Sequence, residues 1–384
     1  MSAPPEFEID LAAFATDPYP IMARLRATAP VATVPQLGGV VFSRRNDIAT
    51  LEKQIEIFSS QQPGGLMDRL MGRNMMRQDG PPHASERKAI FPTVSPRTAR
   101  DTWTARFRAH ANALLDTIAP LGHADLLESF ARPLSGEALK EITGLTHVPW
   151  SDIDRWSQAM IDGIANYIGD PEPEARCKAA VAEIDDAIAG APPSDAPNLI
   201  NTQNAAGLSP VRRNANIRLA ISGGQNESRD AIGGLLWALL THPGQLDLIQ
   251  TGAIPISAAF DEFVRWISPI GMSPRRIARD QTVLGFDLKA DTRAFFLFSA
   301  ANRDPDIFEQ PDKFDITRDA SRHIAFGAGP HFCAGAPAAR ALVADVALPA
   351  LLDRLPNLRL NGPVAFHGWA FRGPDQIPCA WGTP

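Results

Sequence analysis

The chain has 384 residues, 45% of them apolar and 21% charged, and its 37 basic and 43 acidic side chains leave a net charge of −6. That balance suits a globular chain long enough to bury a core and a cofactor, and it argues against a nucleic-acid binder. Three cysteines (Cys177, Cys333, Cys379) cannot form a disulfide framework, the longest apolar runs are too short to span a bilayer, and the N-terminus lacks a signal-peptide core, so no membrane association and a cytoplasmic location are expected.

In chain order, Pro20–Ala27 reads as a short helix, Val31–Val34 and Gly39–Ser43 as strands, and Asp47–Ile55 as a helix. The Gly- and Met-rich stretch Gln61–Met76 lacks a clean period and is expected to be a loop over something apolar. From Pro81 to Leu240 the spacing predicts mostly helix, broken near His147–Pro149, Pro171–Pro173 and Ala191–Pro197. One long helix is expected from about Ser209 to Thr241, ended by His242–Pro243. Another covers Pro255–Trp266, with proline suited to a first helical position. Strands follow at Arg276–Leu284 and Thr292–Ser299, a loop from Asp304 to Phe332, a last helix from about Ala334 to Arg354, and short strands to the end. There is no internal repeat and no linker between halves. The expectation is a mainly α chain with minor β, folded as one large domain over residues 1–384.

The most informative stretch is Phe326-Gly-Ala-Gly-Pro-His-Phe-Cys-Ala-Gly335, a cysteine at the end of a glycine-rich loop and just before a helix. A helix N-terminus carries partial positive charge and unpaired N–H groups, which favour a thiolate. Gly327, Gly329 and Gly335 let the backbone approach a flat partner. A dinucleotide fingerprint is excluded because Phe332 stands where its third glycine belongs. Zinc is excluded because His331 and Cys333 alone cannot supply four ligands. A haem iron is the partner that suits a single thiolate.

The loop resembles the haem-binding signature of the cytochrome P450 family, Phe-Gly-x-Gly-x-His-x-Cys-x-Gly, at every fixed position. The resemblance implies the P450 fold, haem b (iron protoporphyrin IX) as cofactor, Cys333 as the metal ligand and Phe326 packed beside its sulfur. Glu262-Phe-Val-Arg265 resembles the family's Glu-x-x-Arg pair, with Arg318 as candidate third partner, and Ala301-Asn-Arg-Asp-Pro305 resembles the run before the haem loop. His83 and Arg87, four apart behind Asp79-Gly-Pro-Pro, together with Arg276 and His331, match the family's haem-propionate positions. Cationic forks suit carboxylates.

The long central helix departs from the family's Ala/Gly-Gly-x-Asp/Glu-Thr, reading Ser222-Gly-Gly-Gln-Asn-Glu-Ser228. In one register Glu227 and Ser228 are the acid and the alcohol. In the other, Asn226 takes the acid place and Glu227 the alcohol place. Glu227 lies 16 residues before Pro243 and 35 before Glu262, where the family alcohol falls, so the second is preferred and both residues are catalytic candidates. A carboxyl group there can donate a proton when neutral or accept one from hydrogen peroxide when ionised. The pair resembles a branch that O-demethylates methoxyphenols, which carries Gln-Glu here. Arg265-Trp-Ile-Ser-Pro-Ile270 and Gly368-Trp-Ala-Phe-Arg-Gly-Pro374 resemble that branch as well.

By offset, the substrate pocket is expected to draw on Leu70, Met76, Ile164, Leu219, Gly223, Ile270, Ser273 and Phe371, an apolar lining for a small flat aromatic. Arg73, Arg77, Lys88, Arg97 and Arg100 are candidates to steer a separate ferredoxin or flavin/iron–sulfur reductase. The expected activity is O-demethylation of a guaiacol- or syringol-type phenol with dioxygen or hydrogen peroxide, giving a phenol and formaldehyde. The alternatives are a P450 hydroxylase of a terpene, fatty acid or natural product, and a haem-thiolate sensor without turnover.

Overall fold

A computed structural model of the chain describes residues 2–166 and 169–382. Helices account for 56% of the described residues. The backbone gathers into two compact units, one formed by Met1–Gln62, Gly234–Cys333 and Val364–Asp375, the other by Pro63–Gly233, Ala334–Pro363 and Gln376–Pro384.

The first unit is built on a five-stranded sheet. Its order is Val31–Val34, Gly39–Phe42, Arg293–Leu297, Met272–Ile277 and Phe58–Ser59. The first two strands pair antiparallel, and Gly39–Phe42 then runs parallel to Arg293–Leu297, with Val40 opposite Ala294 and Phe42 opposite Phe296. All four residues of Gly39–Phe42 are buried, because side chains alternate and both faces are covered. Phe42, Phe58 and Phe296 fill one face, and Val41, Phe295 and Leu297 meet Phe14, Met22 and Leu25 on the other. The strand expected over Arg276–Leu284 is two elements, Met272–Ile277 and Gln281–Val283. Asp280 interrupts it by accepting the Ala290 N–H at 2.9 Å and pairing with Lys289 at 2.8 Å.

The second unit is helical, with a small sheet of His123–Asp125, Pro378–Ala380 and Arg359–Leu360. Its core joins Leu139, Ile153, Trp156, Met160, Cys177, Ile184, Ile217 and Ile221. Two expectations are corrected here and one is met. Gln61–Met76 is not a plain loop: it contains the helix Leu66–Met71 and a 3₁₀ turn at Met75–Arg77, and Met67, Leu70 and Met71, spaced for one helical face, are all buried. The break expected near Pro171–Pro173 is present: the Trp150–Ile164 helix ends before it, and Pro171 opens the next helix, Pro171–Ala189, capped by Asp170 on the Glu172 N–H at 3.0 Å. The helix expected over Ser209–Thr241 is interrupted, as Pro210–Ser222 and Gln225–Thr241. The interruption has a packing cause. A Cβ on Gly224 would lie 2.7 Å from the Ala220 carbonyl and 2.9 Å from Leu139 Cδ2, so only glycine lets the backbone pass this close.

Candidate functional site

Cys333 ends a tight turn. Its N–H donates to the Phe326 carbonyl at 2.8 Å, the Gly327 N–H to Ile324 at 2.9 Å, and the Phe332 N–H to Gly329 at 3.2 Å. Gly327 and Gly329 have φ of 73° and 66°, a left-handed geometry that costs glycine little. His331 closes the 3₁₀ turn Gly329–His331, and Gly335 precedes the last helix, which opens at Ala336. Cys333 is exposed, whereas Cys177 and Cys379 are buried and burial pushes their thiols up to about 11 and about 12. Of the three cysteines, only Cys333 is therefore open to an outside partner. Phe326 is half-buried, with its ring centroid 6.2 Å from Phe260 and 6.3 Å from Phe332.

The support behind the turn lies in the same unit. Glu262 and Arg265 are wholly buried and form a two-pronged pair at 2.6 and 2.8 Å. The other guanidinium protons reach the carbonyls of Asn302 at 2.8 Å, Pro311 at 2.9 Å and Lys313 at 3.3 Å, so all five donors are used. Arg318 Nε joins Glu262 at 3.3 Å, as the sequence suggested. Asn302 donates to Ser268 Oγ at 2.9 Å and accepts the Ile324 N–H at 2.7 Å, which ties the segment leading to the cysteine turn onto the end of the Ile256–Ile267 helix. Sequence reasoning quoted Asn302 only within a motif and missed this tie. It also missed Glu52, which accepts the Ala328 N–H and pairs with Arg275 at 2.9 Å.

The propionate candidates are placed as follows. His83 is buried and Arg87 half-buried, one helical turn apart in the Gly80–Val94 helix. Arg276 is half-buried, donates Nε to the Gln61 carbonyl at 3.1 Å and pairs with Asp291 at 2.7 Å, a partner so exposed that exchange for another carboxylate costs little. Among the reductase-steering candidates, Arg77 is corrected: it is buried in the 3₁₀ turn, which the Met75 N–H fastens to Asn216 Oδ1 at 2.8 Å. Arg73 and Lys88 are exposed, and Arg97 and Arg100 are exposed but share Asp101, at 3.5 and 2.7 Å, which halves their combined charge.

Asn226 and Glu227 lie in the first turn of Gln225–Thr241. The preceding Gln225 pins that turn, donating to the Arg132 carbonyl at 3.1 Å and to Asp154 at 2.9 Å. Asn226 Nδ2 reaches Gln158 Oε1 on the Trp150–Ile164 helix at 3.3 Å, so Asn226 is held from a second helix. Glu227 Oε2 is buried and makes no hydrogen bond among the described residues. Burial pushes this carboxyl up to about 7; its own backbone N–H and Arg229 oppose the rise, and Asp230 adds to it. An acid that changes charge near neutrality suits general acid–base work.

Of the pocket candidates, Leu70, Met76 and Ile164 share one apolar cluster, Leu70 buried within it and the other two packed against it. Leu219 and Gly223 stand at the helix interruption, the Gly223 N–H on the Leu219 carbonyl at 2.9 Å. Ile270 and Phe371 are joined by a β-bridge, and Ser273 lies on the adjoining strand. Gly271 makes the bridge possible: its N–H reaches Ala370 at 2.8 Å, and a Cβ would lie 1.9 Å from the Trp369 carbonyl. Gly271→Ala is expected to cost about 3 kcal/mol, because backbone must move to admit the methyl group. Chemical denaturation followed by tryptophan fluorescence checks it.

The donor set fits a porphyrin iron: one exposed cysteine, a turn whose glycines leave no side chain in the way, and no cluster of three or more metal-ligating side chains among the described residues. The sequence profile described as Cytochrome P450 matches residues 256–355. Polyketide biosynthesis cytochrome P450 PksS of Bacillus subtilis is 31% identical over 299 residues, covering 75% of this chain and 71% of that protein. Cytochrome P450 monooxygenase PikC of Streptomyces venezuelae is 29% identical over 96% of this chain and 92% of its own. Among solved structures, P450BioI in complex with an acyl carrier protein bearing hexadec-9Z-enoic acid superposes with a TM-score of 0.87 at 25% identity, covering 95% of this chain and 99% of that one. Cysteine turn, buried Glu262–Arg265 pair and kinship agree, and the chain belongs to the cytochrome P450 family.

Proposed function

We propose that this P450 monooxygenase removes the methyl group of a small methoxy-substituted aromatic, of guaiacol or syringol type, releasing a phenol and formaldehyde. The observation that supports this reading is a buried carboxyl, Glu227, where the family resemblance expects a hydroxyl. Haem b, when bound, supplies the oxidising chemistry, using dioxygen with electrons from a separate ferredoxin or flavin/iron–sulfur reductase, or hydrogen peroxide. Cys333 is the iron ligand in this reading, Phe326 shields its sulfur, and His83, Arg87, Arg276 and His331 hold the propionates. Glu227 gives or takes the proton, and Asn226, held by Gln158, keeps that helical turn in place. Leu70, Met76, Ile164, Leu219, Gly223, Ile270, Ser273 and Phe371 exclude water and orient the methyl group. Once hydroxylated, the methyl group forms a hemiacetal that collapses to the phenol and formaldehyde. Residues 1–384 act as one haem domain in the cytoplasm, with no membrane or nucleic-acid partner.

A second reading is hydroxylation of a natural product. Relatives favour it, among them the polyketide biosynthesis P450 PksS, a linalool 8-monooxygenase of Pseudomonas putida and a 6-deoxyerythronolide B hydroxylase of Saccharopolyspora erythraea. Formaldehyde release from guaiacol and syringol, with peroxide or with a reductase, separates the two. If no methoxyphenol yields formaldehyde or moves the haem spin state while a terpene or macrolide does both, the second reading replaces the first.

Glu227 also has a pH signature. A glutamate titrates near 4.5 in the unfolded chain and near 7 in the folded one, so between those values the native state keeps a proton that the unfolded state gives up. The penalty for ionising it in the folded state is absent below that window, grows as pH rises through it, and levels off above about 7. Glu227→Gln is expected to remove this slope and to be more stable than the parent by on the order of 2 kcal/mol at alkaline pH, and no more stable in acid. Urea denaturation of both holoproteins on either side of neutrality reads the difference. The same variant is expected to lose about tenfold in peroxide-supported turnover.

A further inference from the structure

We infer that Glu52 and Arg275 are positioning residues for the cysteine ligand, a buried ionic clamp that sets how the turn presents Cys333. The inference rests on the haem-thiolate reading above. Glu52 ends the Arg45–Leu51 helix and is 2% exposed; Arg275, on the Met272–Ile277 strand, is 5% exposed. The carboxylate uses both oxygens for different tasks. Oε1 accepts Arg275 Nη2 at 2.9 Å, and Oε2 accepts the N–H of Ala328, which sits between the two left-handed glycines of the turn. The turn lies directly on this residue. A Cβ on Gly329 would be 2.9 Å from the Glu52 carbonyl oxygen, and one on Gly327 would be 3.3 Å from Oε2. Arg275 in turn donates to Ser273 Oγ and to the Pro274 carbonyl. One chain of contacts therefore runs from the strand bearing Ser273 and Arg276 to the turn bearing Cys333.

The arrangement has a chemical logic. A loop that must hold a sulfur anion in one direction needs a fixed acceptor for its amides. A carboxylate is the strongest such acceptor, but alone it would repel the thiolate. Arg275 cancels that charge while the hydrogen bond to Ala328 is kept. An ion pair this buried adds little to stability relative to well-packed apolar groups of similar size, so its use here is geometric.

That last point supplies the test. Glu52→Leu with Arg275→Met removes both charges together, leaving no orphaned ion, so the fold is expected to persist while the turn loses its anchor. The readout is the reduced, carbon monoxide-treated holoprotein, whose red-shifted Soret band reports thiolate ligation. We expect the double variant to lose that band about tenfold faster than the parent on mild warming below its unfolding temperature. Glu52→Gln, which keeps an oxygen for Ala328, is expected to fall between the two. Parent-like band and lifetime in the double variant overturn the inference. If the double variant does not load haem, Glu52→Gln decides: a parent-like lifetime overturns the inference, and a shortened one upholds it. Absence of the band from the parent itself would instead remove the haem-thiolate reading.

Discussion

Serine in place of Cys333 is expected to abolish thiolate ligation while leaving the fold intact. Cys333 is exposed, and its backbone N–H donates to the Phe326 carbonyl at 2.8 Å whichever side chain stands there. The stability cost should therefore stay within about 0.5 kcal/mol, as for surface substitutions generally. The chemical effect is the opposite extreme. A hydroxyl does not ionise at neutral pH and cannot supply the electron-rich sulfur that the family's oxidations require. The red-shifted Soret band of the reduced, carbon monoxide-treated protein should vanish and turnover should fall to background. A variant that keeps either would displace Cys333 from its assigned role. Cys177→Ser is the control. That thiol is buried against Gly163, and the change should disturb packing without touching the band.

Arg265→Leu is expected to be the most destabilising single change in the site, at about 3–5 kcal/mol. The loss has two parts. Glu262 would remain buried with its main counter-charge gone, and three carbonyls, those of Asn302, Pro311 and Lys313, would lose a donor. Arg265→Lys should recover little, since one ammonium has three donors and no planar fork to replace five. Because Asn302 also holds Ile324, slackening here loosens the run-up to the cysteine turn. Poor haem retention should therefore accompany the lower urea midpoint, and a variant with a normal midpoint would show that the pair is not a keystone.

The cysteine turn was legible in the sequence because its constraints are local: glycines where φ is positive, and a cysteine a few residues before a helix. Arg318 was found because its partners obey a helical spacing plus one motif offset. The Glu52–Arg275 pair was not, since its members are 223 residues apart and either alone reads as a surface charge. Arg77 was misplaced for the same reason, a charged residue in an apparent loop being read as solvated. The Leu66–Met71 helix is short and flanked by glycines, so a six-residue apolar face left too little period to detect. The interruption at Gly223–Gly224 escaped notice because its cause, the approach of Leu139, comes from elsewhere in the chain. Local spacing thus pointed to the chemistry proposed for Cys333, and pairing across distance hid the supports of its turn.

The division of the backbone has a consequence for biosynthesis. The helical unit takes most of its residues from one unbroken run, Pro63–Gly233, and can begin to condense while the ribosome is still at work. The sheet-bearing unit cannot. Its strand Gly39–Phe42 waits for Arg293–Leu297, and its last piece, Val364–Asp375, is made well after the helical unit's main run. Contacts so distant along the chain form slowly. Cys333 belongs to this late unit, so the cysteine turn takes shape only after the helical unit's main run has left the ribosome, and an early encounter with free haem meets no formed turn.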